Sequence, residues 1–101
     1  MKKYKVAISD NVYLDLEDIG NFILSKYTQS SVTAYLKNMY DDISLLEYMA
    51  DVLPYSDNKT IKGIHPNGKR LLSKNRHWNI IFHIEGDYVI VDRIIASSMI
   101  K

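Results

Sequence analysis

Two long apolar stripes with helical spacing, separated by only four polar residues, dominate the first half of the sequence. Apolar residues recur every three or four positions over residues 12–27 and again over residues 32–53, which predicts two amphipathic helices. Ser9 or Asp10 supplies an N-cap for the first helix, residues 28–31 supply one for the second, and Pro54 ends it. Because the connection is so short, the two helices must pack as an antiparallel hairpin.

The segments on either side of this hairpin alternate with the period of β-strands. Residues 4–9 predict one strand, and after a connecting loop over residues 54–68, with a short turn of structure at 60–64, three more follow. These three strands, at residues 70–74, 77–84 and 88–95, form an antiparallel meander with turns at 75–76 and 85–87. The sequence therefore predicts a single α+β domain over residues 1–101, with the helical hairpin packed on one face of a four-stranded sheet.

The middle strand of the meander separates its residues into two sets that face opposite ways. The apolar set is expected to meet the hairpin and contains Trp78, Ile80, Phe82 and Ile84. The other set is expected on an open face that is polar and basic, and contains His77, Asn79, Ile81 and His83.

The formal net charge of +1 conceals two oppositely charged halves. Residues 10–51 hold eight acidic and two basic residues, whereas residues 58–84 hold six Lys or Arg, all three histidines and no acid. Cations gathered without acids bind phosphate or an acidic protein segment, or simply form a solvated face, and the sequence leaves these alternatives open. We take as candidate target-binding residues Arg70, Lys74, Arg76, His77, Asn79, His83 and Arg93.

Several classes of chemistry are disfavoured by what the sequence lacks. There is no Cys, no phosphate-binding loop and no metal-binding motif, and His77 and His83 lie about 20 Å apart on one strand face, too far to share an ion. We therefore predict no metal and no cofactor. If the ligand were RNA, a metal-free ribonuclease could use Arg70, Arg76, His77 and His83. The absence of a signal-peptide-length or membrane-spanning apolar run predicts a cytoplasmic protein that does not contact a membrane.

Four segments together resemble the RelE/ParE family of bacterial toxins from type II toxin–antitoxin pairs. These are residues 4–9, residues 15–23, the stretch containing Ala34-Tyr35 and residues 45–54, and the strand pair at 78–95. The resemblance implies the family's small sheet with a helical hairpin and a cognate antitoxin as partner. It also implies a macromolecular target: DNA gyrase for ParE-type members, or messenger RNA on the ribosome for RelE-type members.

The segment at residues 15–23 looks like the ParE branch of the family. The RelE pattern finds a counterpart in Arg70, but this chain has Leu72 and Asn79 at two further basic positions of that pattern. We therefore expect a ParE-like toxin that inhibits growth by binding its target and is neutralised by an antitoxin, in a plasmid-stabilisation type of system. The alternatives are a RelE-like metal-free ribonuclease and a non-toxic binding module that retains the fold.

Overall fold

A computed structural model describes residues 2–100 of the chain. Its four strands are β1 (Lys5–Ile8), β2 (Lys69–Leu72), β3 (Trp78–Glu85) and β4 (Tyr88–Ala96). Its α-helices are α1 (Asp10–Lys26), α2 (Gln29–Ser44), α3 (Leu46–Met49) and α4 (Lys59–Ile64), and short 3-10 helices span Ala50–Val52 and Ser97–Met99. The predicted α+β fold, with a helical hairpin on a four-stranded sheet, is confirmed.

The strands form one mixed sheet in the order β1-β4-β3-β2. The predicted meander is present, since β2 pairs with β3 and β3 with β4 in antiparallel orientation. The first strand lies parallel to the last, with Lys5 opposite Tyr88 and Ile8 opposite Val91. Beyond that point β4 continues without β1 beside it, and a bulge interrupts its pairing with β3 between Ile81 and Phe82.

The helical hairpin is built largely as its sequence predicts. Thr28 caps α2, because its side-chain oxygen accepts a hydrogen bond from the Ser31 N–H at 3.2 Å. The prediction of one continuous helix to residue 53 is wrong, since α2 ends at Ser44 and the chain continues through α3 and a 3-10 turn. The break redirects the chain so that Leu46 and Ala50 are fully buried, and the Glu47 carbonyl accepts a hydrogen bond from the Tyr4 N–H beside β1.

The main core lies between the hairpin and the sheet. Val12, Ile19 and Met39 from the helices pack with Ile80 and Phe82 from β3, as the alternation of that strand predicts. Burial of this apolar surface is the principal stabilising contribution to the fold.

The opposite face of the sheet is not open, contrary to the sequence-based expectation. Asn79, Ile81 and His83 on β3 are only 2%, 0% and 8% exposed. Two contacts on this face are the His65 ring after α4, which stacks on His83, and Ser97, whose hydroxyl accepts a hydrogen bond from the Asn79 side-chain amide. Ile61 of α4 is fully buried outside the main core. The prediction of a polar, basic, solvent-facing surface is therefore wrong for these three residues.

No helix among residues 2–100 combines the length and apolar character needed to cross a membrane.

Candidate partner-binding groove

A surface groove runs along one side of α1, and we call it the α1 groove. Two adjoining cavities form it, of about 540 and 530 Å³, and they share Phe22, Trp78 and Ala96 as common wall. The first lies between α1 and α4 over the end of β4, and the second continues toward the turn between α1 and α2. Its principal lining residues are Asp15, Asp18, Ile19, Phe22, Lys26, Tyr27, Tyr35, Thr60, Ile64, His77, Trp78, Arg93 to Ala96 and Met99.

A buried carboxylate and an arginine form one end of the groove. Asp15 accepts hydrogen bonds from Arg93 Nε at 2.9 Å and Arg93 Nη2 at 3.0 Å, and its Oδ2 also accepts the Ile94 N–H at 2.9 Å. The hydrogen bond from Arg93 to Asp15 raises the pKa of the guanidinium above its usual range, so the guanidinium stays charged. Asp15 thereby occupies the edge of β4 at the point where β1 has ended.

Among residues 2–100, the last residues of β4 have no neighbouring strand on the side where β1 has ended. In a strand, the N–H and C=O of one residue point to the same side. Because the Ile94 N–H points away from β3 toward Asp15, the Ile94 carbonyl and the N–H of Ala96 face the groove as well. The groove thus presents main-chain hydrogen-bonding groups among apolar side chains.

A hydrogen-bonded aromatic pair fixes the wall shared with the second cavity. The Trp78 indole N–H donates to the Tyr35 hydroxyl at 2.5 Å, and the Asn75 side-chain amide donates to the same hydroxyl at 3.0 Å. These bonds connect β3 and the turn before it to α2. They hold the indole in one orientation, so the groove is preformed in the free chain.

The surface of the groove is apolar, with a charge that changes sign along its length. Phe22, Tyr27 and Met99 are 53%, 62% and 67% exposed, which is unusual for large apolar side chains lying so close together. Asp18 lies at the α4 end, whereas Lys26 and His77 lie at the hairpin end. Such a surface suits a partner polypeptide with an apolar stripe and opposite charges at its two ends.

The candidate residues predicted from sequence do not converge on one site. Arg70, Lys74, Arg76 and His77 are all exposed, but Arg70 borders a separate cavity of about 370 Å³ beside residues 54–58. Arg76 lies in the β2–β3 turn with a positive φ of 64°, and His77 lines the α1 groove. Arg93 is partly exposed but has its charge paired with Asp15.

The other two predicted residues are buried and have structural partners. The Asn79 side-chain amide donates to the Ser97 hydroxyl at 3.0 Å. His83 Nδ1 is 2.7 Å from Asp92 Oδ2, and the His65 ring lies parallel to the His83 ring with 3.7 Å between centroids. His83 and His77 therefore lie in different environments, and the four residues suggested for a ribonuclease share no cavity.

Sequence reasoning did not identify Asp15, Tyr35 and His65 as residues that shape these sites. For Asp15 a signal was present, because it falls on the apolar stripe of α1 next to Leu16, where a carboxylate needs a buried partner. For Tyr35 and His65 the partners are distant in sequence, and no local pattern indicates them. Among residues 2–100, no group of three His, Asp or Glu side chains is arranged to hold a metal ion.

Comparison with known proteins gives a similar fold and no similar sequence. No family model matches the chain, and no curated protein matches it. Among solved structures, a chain from one described as "Chromosomal ParDE TA system from P. aeruginosa" superposes with a TM-score of 0.79 at 12% sequence identity. The match covers 93% of this chain and 96% of that one, so the whole fold is shared.

Proposed function

We propose that this chain is the toxin of a toxin–antitoxin pair, that it inhibits growth by binding a macromolecular target, and that an antitoxin neutralises it. The observation that carries the proposal is a preformed, exposed apolar groove on a fold shared over its whole length with a chain of a ParDE structure. The α1 groove is the proposed antitoxin site. Its apolar surface, the strand edge at the end of β4 and the charges at its two ends suit a polypeptide that becomes ordered as it binds.

The target is proposed to be DNA gyrase, following the resemblance of residues 15–23 to the ParE branch. The exposed basic residues Arg70, Lys74 and Arg76 are the proposed target-contacting residues. The ribonuclease alternative has less support, because His83 is buried against Asp92 and His65 rather than facing a cavity with Arg70.

Expression in bacteria, alone and with the product of the adjoining short reading frame, tests the toxin role. Growth arrest that the second product relieves supports the proposal. If expression of the chain alone does not slow growth, the toxin proposal is wrong, whether or not the second product binds tightly. That result would favour a non-toxic binding module. During arrest, trapped gyrase–DNA breaks with intact messenger RNA support gyrase as target, whereas transcripts cut within codons support the ribonuclease.

The groove assignment is tested with Phe22→Asp and a control at equal exposure. Phe22 is 53% exposed in the groove, and Tyr13 is 54% exposed on α1 outside it. Phe22→Asp places a charge against an apolar partner surface, so we expect antitoxin affinity to fall at least about tenfold, or 1.4 kcal/mol. Calorimetry measures this affinity, and the control Tyr13→Asp should bind the antitoxin as the parent chain does. Unchanged affinity of Phe22→Asp would show that the antitoxin binds elsewhere, and equal losses in both variants would show that the effect is not specific to the groove.

A further inference from the structure

The last residues of β4 direct their main-chain groups alternately to β3 and to the α1 groove. The Ser97 N–H donates at 2.8 Å to the carbonyl of the residue just before β3, and Ile95, two positions earlier, is turned to β3 as well. Ile94 and Ala96 are turned the opposite way, and the Ile94 N–H donates there to Asp15. Neither the Ile94 carbonyl nor the Ala96 N–H has a main-chain partner among residues 2–100.

Asp15 determines the direction in which a strand can add to this edge. In an antiparallel ladder, a residue that donates to the Ile94 carbonyl must accept the Ile94 N–H with its own carbonyl. The Asp15 carboxylate already holds that N–H, so two acceptors would face each other. In a parallel ladder, one residue opposite Ile95 donates to the Ile94 carbonyl and accepts the Ala96 N–H, so both of its groups are satisfied. On the same edge, β1 already pairs with β4 in this parallel orientation.

The charges of the groove change sign along the direction in which β4 runs. Asp18 lines the first cavity and Lys26 the second, and β4 likewise runs from Arg93 in the first cavity to Ala96 in the wall shared by both. Lys26 Nζ lies 5.3 Å from the centroid of the Phe22 ring, which places this cation beside the shared wall. A chain parallel to β4 therefore passes the acidic end of the groove first. Opposite charges meet if a basic residue precedes its apolar residues and an acidic residue follows them.

The length of the groove sets the spacing of those charges. Asp18 and Lys26 are eight positions apart in α1, which corresponds to about 12 Å at 1.5 Å per residue. An extended chain covers this distance in about four residues of 3.3 Å each. The two neighbours of the residue opposite Ile95 have their side chains on the hairpin face of the sheet, where Ile19 and Phe22 line the groove, so they should be apolar.

We propose that the α1 groove binds an extended polypeptide segment that adds to β4 as a parallel strand. The segment has a basic residue before, and an acidic residue after, two apolar residues that alternate with a third residue. Only the source of this segment, the antitoxin, rests on the proposed function. The main-chain bonds and the order of charges apply to any polypeptide, so synthetic peptides test them on the free, full-length chain.

Two peptides of identical composition test the direction of binding. Lys-Lys-Val-Thr-Val-Glu-Glu has the proposed order and Glu-Glu-Val-Thr-Val-Lys-Lys the reverse, and both are acetylated and amidated to remove the terminal charges. Nuclear magnetic resonance titration follows the Ala96 amide, and fluorescence follows Trp78, the single tryptophan, in the groove wall. We expect the first peptide to bind at least about threefold more tightly at low salt. The preference should disappear at about 1 M salt, which screens the charges.

Ala96→Pro tests the main-chain hydrogen bond. The backbone of Ala96, with φ of −58° and ψ of 138°, already suits proline, which has no N–H to donate. Because the Ala96 N–H has no main-chain partner in the free chain, the variant should fold as the parent does. Its affinity for the first peptide should be about fivefold lower than that of the control Ala96→Val, which adds a similar volume and keeps the N–H.

Three results would each overturn the inference. These are no binding of either peptide at millimolar concentration, equal or tighter binding of the reversed peptide, and equal affinity of Ala96→Pro and Ala96→Val for the first peptide. None of these measurements depends on growth. A chain that is harmless on expression but binds the first peptide as described would refute the proposed function and leave this inference standing.

Discussion

At the scale of single residues, a hydrogen bond near the start of the chain shifts the acidity of the Tyr4 phenol. The Tyr4 hydroxyl donates a hydrogen bond to Asp51 Oδ1, which joins the start of β1 to the 3-10 helix after α3. That hydrogen bond is the main cause, and burial the second, of a rise in the pKa of Tyr4 from 10.0 to about 12. The folded protein therefore favours the neutral phenol more strongly than the unfolded chain does.

A pH dependence of stability follows from the raised pKa of Tyr4. Because the folded pKa exceeds the unfolded one, the contribution is complete below pH 10 and is lost as pH rises from 10 to about 12. Tyr4→Phe removes it, so the parent chain should be more stable than the variant at about pH 8, and this difference should shrink toward pH 12. Urea unfolding of both proteins measures it. An unchanged difference at high pH would contradict the assignment.

Arg76 has a left-handed backbone, which a side chain other than glycine adopts at some cost. Its φ is 64°, and no other non-glycine among residues 2–100 has a positive φ. Arg76→Gly relieves this cost, and we expect the free energy of unfolding to rise by about 0.5–1 kcal/mol. Lys74→Gly, in the same exposed turn, is the control and should lose stability. Chemical denaturation measures both, and a loss in both would show that Arg76 is not strained.

At the scale of elements, the short helix α4 bears on two surfaces of the molecule. The six residues of α4 contribute one fully buried side chain, Ile61, and lead directly into His65, whose ring stacks on His83. The same helix supplies one wall of the α1 groove. A change in its position therefore alters both surfaces at once.

Two glycines, one in α1 and one in the connection before β2, have opposite packing environments. A Cβ on Gly20 of α1 would lie 3.7 Å from Leu36 Cδ1 and Val32 Cγ1 of α2, an ordinary contact, whereas one on Gly68 would approach Ile61 Cγ2 at 2.8 Å. Gly20→Ala should therefore raise the free energy of unfolding by about 1 kcal/mol through helix propensity, while Gly68→Ala should lower it. Thermal and urea unfolding compare the two. A destabilised Gly20→Ala would show that α1 and α2 pack more closely than described.

The elements also show which features a sequence can predict. The hairpin and the meander were predictable because periods of 3.6 and 2 residues persist over long segments. The short turn of structure predicted at residues 60–64 is present as α4, but its packing was not predictable, because a helix of six residues with one buried side chain has no period to detect. The stack of His65 on His83, and the bond from Trp78 to Tyr35, join residues far apart in sequence, so only the tertiary fold brings them together. Asp15, on an apolar stripe, was the missed residue with a local signal.

At the scale of the whole molecule, the two proposed interactions use different surfaces. The α1 groove lies between α1, α4 and β4, whereas Arg70 and Lys74 project from β2 and the turn after it. This separation allows one binding event to be removed while the other is kept. The near-zero net charge is a sum of two opposite contributions, because the acidic residues lie mainly on the hairpin and the basic residues mainly on the other half of the chain.

Because the surfaces are separate, we expect each to be disabled by substitution without loss of the other's function. Arg70→Glu with Lys74→Glu reverses charge at exposed positions outside the groove, so growth inhibition should fall at least about tenfold in effective dose while antitoxin affinity stays constant. Phe22→Asp should show the reverse pattern and escape neutralisation. Growth assays measure the inhibition and calorimetry measures the antitoxin affinity of both variants. Tyr13→Asp is the shared control. Loss of both properties in either variant would show that the surfaces overlap.

The parallel pairing of the first strand with the last has a consequence for biosynthesis. The Ser9 hydroxyl donates to the Asp92 carbonyl, 83 residues further along the chain, and every partner of β1 in the sheet belongs to β4. During translation, β1 and the helical hairpin leave the ribosome long before the strand that completes their sheet exists. The nascent chain therefore has no finished groove for most of its synthesis, because Arg93 to Ala96 of β4 form part of its lining.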